Sequence, residues 1–224
     1  MRGLLIIFVA LACGTAHGQD TDASPGIVAV LHNSHQLRLD AMATADHDGP
    51  RAQRLRESFD MLVRHLRTLP PVELRVVRGE VFAETLQGKV IVANEALADL
   101  SDGERLFALA HELGHVILGH WAQLGLLYQK WVPGAVRQEH TDAVAARLGA
   151  EASALAHRHE FEADAFGLRT LRALGRSEQD ALAVFMRLGA RHNTATHPST
   201  RKRVAALRAV EPDSLQAAAA SPGH

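Results

Sequence analysis

Residues 101–120 read SDGERLFALAHELGHVILGH, and the reading of this stretch decides the fold. Ser101 followed three residues later by Glu104 is the signature of a capping box, in which each side chain bonds the other residue's backbone N–H at a helix start. Leu106, Leu109, Leu113, Val116 and Ile117 then recur at three- and four-residue spacing, which predicts a helix with one apolar, buried face. His111 and His115 are four apart, so their rings project from the same side one turn apart, close enough to share a metal ion. Glu112 lies about 100° further round the helix. There it reaches a water on such an ion without being a ligand itself. A His-rich amphipathic helix without metal carries the same pattern. A third ligand elsewhere in the chain separates the two readings.

The segment from Thr141 to Leu174 is helix-favouring, with Gly149 a candidate break and Gly175 a C-terminal stop. Within it Glu160 and Asp164 are four apart and share a face with Gly167 and Leu168, whereas Glu162 points elsewhere. Two acidic groups on an otherwise apolar face cost desolvation energy unless a cation or hydrogen-bond donor meets them. One zinc ion and its histidines would meet both. Glu160 would complete a set of two histidines and one carboxylate that leaves a fourth position to water. Asp164 would accept the free ring N–H of a ligand histidine and fix its orientation. The alternative is an acidic pair bonded to arginines such as Arg158 or Arg169.

The chain start, MRGLLIIFVALACGTAHG, has one charge at Arg2, an apolar run from Leu4 to Ala12 and small residues at Ala16 and Gly18. The run is short for a bilayer span and fits a secretory signal over residues 1–18. Cys13 is a candidate lipid anchor, although Ala10-Leu11-Ala12 is a poor acylation signal. It is the sole cysteine, so disulfides do not hold the fold, and stability outside the cytoplasm comes from the core. Residues 19–49 read as a flexible lead-in, 50–210 as one domain and 211–224 as a disordered tail. Lys and Arg total 24 against 25 acidic residues, with no basic block interleaved with aromatics, which argues against nucleic acid as a partner. No later stretch reads as a transmembrane helix, so the expected product is an exported protein, periplasmic or secreted.

Leu55, Phe59, Leu62, Leu66 and Leu69 mark an amphipathic helix that Pro70-Pro71 ends. Leu74–Val77, Val81–Leu86 and Lys89–Ala93 read as short strands of a small sheet or hairpin. An open edge there would suit β-addition of an extended peptide; a closed structural hairpin fits equally well. Trp121 to Arg137, with Gly125, Pro133 and Gly134, reads as a loop or broken helix that could cover the site. Ser177 and Ser199 each start a further helix.

HELGH at 111–115, EFEAD at 160–164 and THPSTRKR at 196–203 together resemble the HtpX-like and CAAX-prenyl-protease-like zinc metallopeptidases, a gluzincin group, over roughly residues 70–210. The resemblance implies an α+β, mostly α domain with a small sheet beside the H-E-x-x-H helix. It implies one zinc ion held by His111, His115 and Glu160, with Glu112 as catalytic base and Asp164 behind a ligand. It further implies His197 facing the substrate carbonyl, with Arg203 as its supporting partner. Well-known members are embedded in membranes by several helices that this sequence lacks, and it looks more like soluble exported members. The expected function is zinc-dependent hydrolysis of peptides or unfolded proteins in the bacterial envelope, in the manner of quality control. The rival is an envelope chaperone or assembly factor with a structural or regulatory metal. His120 is out of register for the third ligand of a metzincin, which leaves it a structural or supporting role. His157 and His159 point off the Glu160 face, and His140 and His192 belong on the surface.

Overall fold

The quoted stretch forms the central helix of the computed structural model, which describes residues 25–211. In chain order the elements are α1 (Ile27–Asp40), β1 (Ala43–Thr44), α2 (Pro50–Leu66), β2 (Glu73–Arg78), β3 (Ala83–Leu86), β4 (Val90–Asn94), a 3-10 turn (Glu95–Asp99), α3 (Asp102–Ile117), α4 (His120–Trp131), α5 (Gln138–Ala173), α6 (Glu178–Leu188) and α7 (Thr200–Arg208). The fold is α+β, mostly helical with one small mixed sheet. Among the described residues no helix is long and apolar enough to cross a membrane.

The start of α3 follows from its cap. Ser101 Oγ accepts the Glu104 N–H at 3.3 Å, and Glu104 Oε2 accepts the Ser101 N–H at 2.9 Å. The apolar face of α3 then builds the core: Leu106, Leu109 and Leu113 pack with Leu55 and Leu62 of α2, Ile91 of β4, and Leu168 and Leu171 of α5, all fully buried. Each such leucine stabilises the fold by about 1.5–3 kcal/mol relative to exposure. Where α3 crosses α5 both helices present glycine. A Cβ on Gly114 would come 3.2 Å from the Ala163 Cα, and one on Gly167 would come 3.1 Å from the Phe107 ring. This close approach brings the Glu160–Asp164 face of α5 against the histidine face of α3.

The sheet has the order β1-β2-β4-β3, with β2 and β4 parallel and the two other pairings antiparallel. All five residues of β4, Val90–Asn94, are buried, as suits a central strand flanked on both sides. The edge strand β3 runs beside α3. The expected strands are present at nearly the expected places, and the arrangement is a β3–β4 hairpin with β2 added in parallel.

Some expectations need correction. Residues 27–40 of the supposed flexible lead-in form α1, which packs on α4, and Ala43–Thr44 adds β1 to the sheet edge. Specific bonds tie α1 down: His35 Nδ1 accepts the Gln87 N–H at 3.0 Å, and Arg38 pairs with Glu84 at 2.8 Å. Of Trp121 to Arg137, read as a loop or broken helix, the part up to Trp131 is helical in α4 and the break falls after it, while Gly125, which suggested a break, is buried where Val28 of α1 approaches. The helix α5 also runs through Gly149 without interruption, ending at Gly175 with the Gly175 N–H on Arg172 O and the Arg176 N–H on Leu171 O. The signal segment, Cys13 and residues 212–224 lie outside the described residues.

Candidate metal centre

Two helices supply the cluster. From α3, His111 Nε2 and His115 Nε2 lie 3.2 Å apart. From α5, the Glu160 carboxylate faces both, at 3.9 Å from His111 Nε2 and 3.5 Å from His115 Nε2. Tetrahedral zinc with bonds of 2.0–2.1 Å needs its donors about 3.3 Å apart, so small side-chain adjustments bring all three into range. Two imidazoles and a carboxylate are a donor set that suits zinc. Glu160 Oε2 is buried and ion-paired with Arg203 Nη1 at 2.8 Å, without hydrogen-bond geometry. That oxygen, with no hydrogen bond of its own, is free to turn toward an ion between the rings.

Charge around the cluster is ordered. Asp164 Oδ1 sits 2.9 Å from His111 Nδ1, so the aspartate accepts the ring N–H on the side away from Glu160. Arg203, near the start of α7, forks onto the same aspartate, with Nε 2.8 Å from Oδ2 and Nη2 2.6 Å from Oδ1. Burial alone would raise the carboxyls of Glu160 and Asp164, but their basic neighbours outweigh it. His115, His111 and Arg203 hold Glu160 well below the usual range, and Arg203 and His111 do the same for Asp164. For His111, burial works toward a lower pKa, and Asp164 and Glu160 reverse it to a net rise.

Glu112 is buried on α3 and lines the same cleft, of about 490 Å³. Thr85 Oγ1 of the edge strand lies 2.8 Å from Glu112 Oε2 and 3.0 Å from the Glu112 carbonyl, so the hydroxyl can donate to either. His197 lies on the loop before α7, with Nε2 3.8 Å from Glu160 Oε1 and its side chain 59% exposed toward the cleft. Thr194 and Thr196 brace this loop: Thr194 Oγ1 accepts the His197 N–H at 3.0 Å, and Thr196 Oγ1 is 2.8 Å from His197 Nδ1. Desolvation lowers the His197 pKa, which favours the neutral ring with its single N–H.

Residues 51–211 match the model of peptidase family M48. The chain belongs to that family. M48 peptidases are zinc metalloproteases, and the three-donor cluster lies within the matched span. Among solved structures, the crystal structure of S. mikatae Ste24p is similar with a TM-score of 0.45 and 18% identity, over 80% of this chain and 55% of that one. The chain therefore spans about half the length of that relative. No curated protein matches.

Within this M48 domain several groups at the site escaped the sequence reading. Thr85 carried no motif. Glu162 is about 200° round the helix from Glu160, yet it reaches His120 of α4 at 3.1 Å. His159, expected to point away, stacks on the His120 ring with centroids 3.9 Å apart and planes 6° apart, and its Nε2 lies 3.2 Å from Gln123 Oε1. Burial and neighbouring histidines push the His120 pKa down to about 3, and burial with His115 and Arg158 pushes that of His159 to about 4, so both rings stay neutral. The signal that could have found them is α4 itself, which puts His120 and Gln123 on one helix face three residues apart.

Proposed function

We propose that this chain is a zinc-dependent endopeptidase of the bacterial envelope that hydrolyses exposed peptide segments of unfolded proteins. The observation that carries the reading is the convergence of His111 Nε2, His115 Nε2 and Glu160 beside Glu112 in one open cleft. In this reading His111, His115 and Glu160 hold the ion. Bound there, zinc supplies Lewis acidity, polarising the scissile carbonyl and bringing the pKa of its water to about 7. Glu112 takes the proton from the attacking water and delivers it to the leaving amine. His197 donates a hydrogen bond to the oxygen on which negative charge develops. Asp164 holds His111 in the tautomer that offers Nε2, and Arg203 keeps Asp164 and Glu160 ionised.

The position of β3 suggests how substrate lies. It is the edge strand of the sheet and its residues line the cleft, so an extended peptide can pair with it through backbone bonds. Such pairing reads little sequence, which agrees with action on unfolded chains. The test is cleavage of casein, abolished by chelator and restored by stoichiometric zinc. Stoichiometric binding of unfolded protein without cleavage would favour the chaperone reading instead.

Thr85 offers a finer check on the base. Thr85→Val removes the hydroxyl that orients the Glu112 carboxylate while keeping the volume of the side chain. We expect kcat to fall by about 10- to 100-fold, the worth of one hydrogen bond to a charged group, with zinc affinity unchanged. A wild-type kcat would show that Thr85 does not position the base.

A further inference from the structure

His120 and Glu162 stand outside the three-donor cluster, yet a line of contacts ties them to it. His115 Nε2 faces His111 and Glu160, which leaves its Nδ1 on the far side of the ring, 2.9 Å from His120 Nδ1. The other nitrogen of His120, Nε2, lies 3.1 Å from Glu162 Oε2. His120 is buried and stacked on His159, so its ring plane is fixed. Its place depends on Gly119, whose φ of 67° turns the chain back between α3 and α4 and sets His120 against His115.

With an ion on His115 Nε2, these contacts admit one assignment of protons. If His115 offers Nε2 to an ion, its Nδ1 must carry the hydrogen and donate it. His120 Nδ1 is then the acceptor, its own N–H sits on Nε2, and Glu162 accepts that. We propose that His120, anchored by Glu162, is the positioning residue for His115, fixing the ring so that Nε2 points at the metal. The inference rests on the metal-site reading above. It gives His115 what Asp164 gives His111: a partner for the nitrogen that faces away from the ion. The helix α5 would thus serve the site three times, with Glu160 as ligand, Asp164 behind one histidine directly and Glu162, from another side of the helix, behind the other through His120.

The same side chains suggest a competing arrangement, since donor atoms of His120, His159 and Glu162 lie within 4.8 Å of one another and could hold a second ion. A metal on His120 Nε2 would force the hydrogen to Nδ1. Two N–H groups would then oppose each other across 2.9 Å whenever the first site is loaded. The proton assignment therefore favours support over a second ion.

The experiment measures zinc affinity by chelator competition, zinc stoichiometry, and the visible spectrum after cobalt substitution, with circular dichroism to verify folding. We expect one zinc per chain in the wild type. His120→Ala should weaken zinc binding by about 10- to 100-fold and alter the cobalt spectrum. His120→Asn, whose carbonyl stands near the lost Nδ1, should restore most of the affinity. Glu162→Ala should show a smaller loss with the same spectral change. Its side chain is 43% exposed, so this variant carries the test even if His120→Ala fails to fold. Wild-type affinity and spectrum in both alanine variants would overturn the proposal. So would His120→Asn binding as weakly as His120→Ala, which would assign the loss to packing. A second zinc in the wild type that vanishes in Glu162→Ala would replace support with a second metal site. His115→Ala is the control for the parent reading, and undiminished zinc binding there would sink the metal site itself.

Discussion

Glu112→Gln is expected to lower peptide hydrolysis by about 100- to 10,000-fold, the usual worth of a positioned general base, while zinc stays bound at wild-type stoichiometry. The substitution keeps the size of the side chain and an oxygen that can accept from Thr85, so the cleft keeps its shape. What it removes is the ability to take a proton. Glutamine cannot shuttle one from water to the leaving amine, so the loss falls on kcat, with KM little changed. The measurement is steady-state cleavage of a fluorogenic peptide beside metal analysis of the same sample. Zinc-loaded Glu112→Gln that turns over within tenfold of wild type would remove Glu112 from the mechanism and leave the proposed chemistry without a base. Loss of zinc together with activity would instead make Glu112 part of the metal-binding set.

How much of this site could be read in advance depended on whether the signal was local. The cap at Ser101, the helical spacing of its leucines and the four-residue interval between His111 and His115 all lie in one helix, and α3 has the expected cap and buried face but ends at Ile117, short of the expected His120, which begins α4 after the left-handed Gly119. Glu160 and Asp164 were legible for a different reason: acids on an apolar helix face are costly unless something meets them. The groups facing them are His111, His115 and Arg203 rather than the Arg158 or Arg169 of the alternative. Position along the chain gave no hint of Thr85, because its role exists only once β3 lies beside α3. The helix α1 was missed and α4 was left open between a loop and a broken helix, for a linked reason. The helix α1 packs on α4, and Gly125, which reads as a helix breaker, is the small residue that admits Val28. Without α4, His120 had no framework and Glu162 no visible partner.

The second large effect is expected at Arg203, and it falls on stability. The guanidinium is 13% exposed, pairs with both oxygens of Asp164 and reaches Glu160 Oε2 with its remaining nitrogen, while its plane lies over Phe185 at 4.9 Å. Asp164 is 1% exposed and Glu160 8%. Arg203→Ala therefore leaves two carboxylates buried near each other with only the histidines as donors, and removing one partner of such a buried pair costs about 3–5 kcal/mol. We expect the metal-free variant to lose this much in urea denaturation. Arg203→Lys should recover only part, because an ammonium cannot fork across Asp164 while also reaching Glu160. Zinc should narrow the gap, since an ion at the three-donor cluster meets the charge of Glu160 and stabilises the folded state by linkage. The sign separates this from simple loss of packing: a deficit caused by the missing stem over Phe185 would be the same with and without metal. A loss below about 1 kcal/mol in the metal-free protein, the range of an exposed ion pair, would mean that these carboxylates are not the buried charges that the fold makes them.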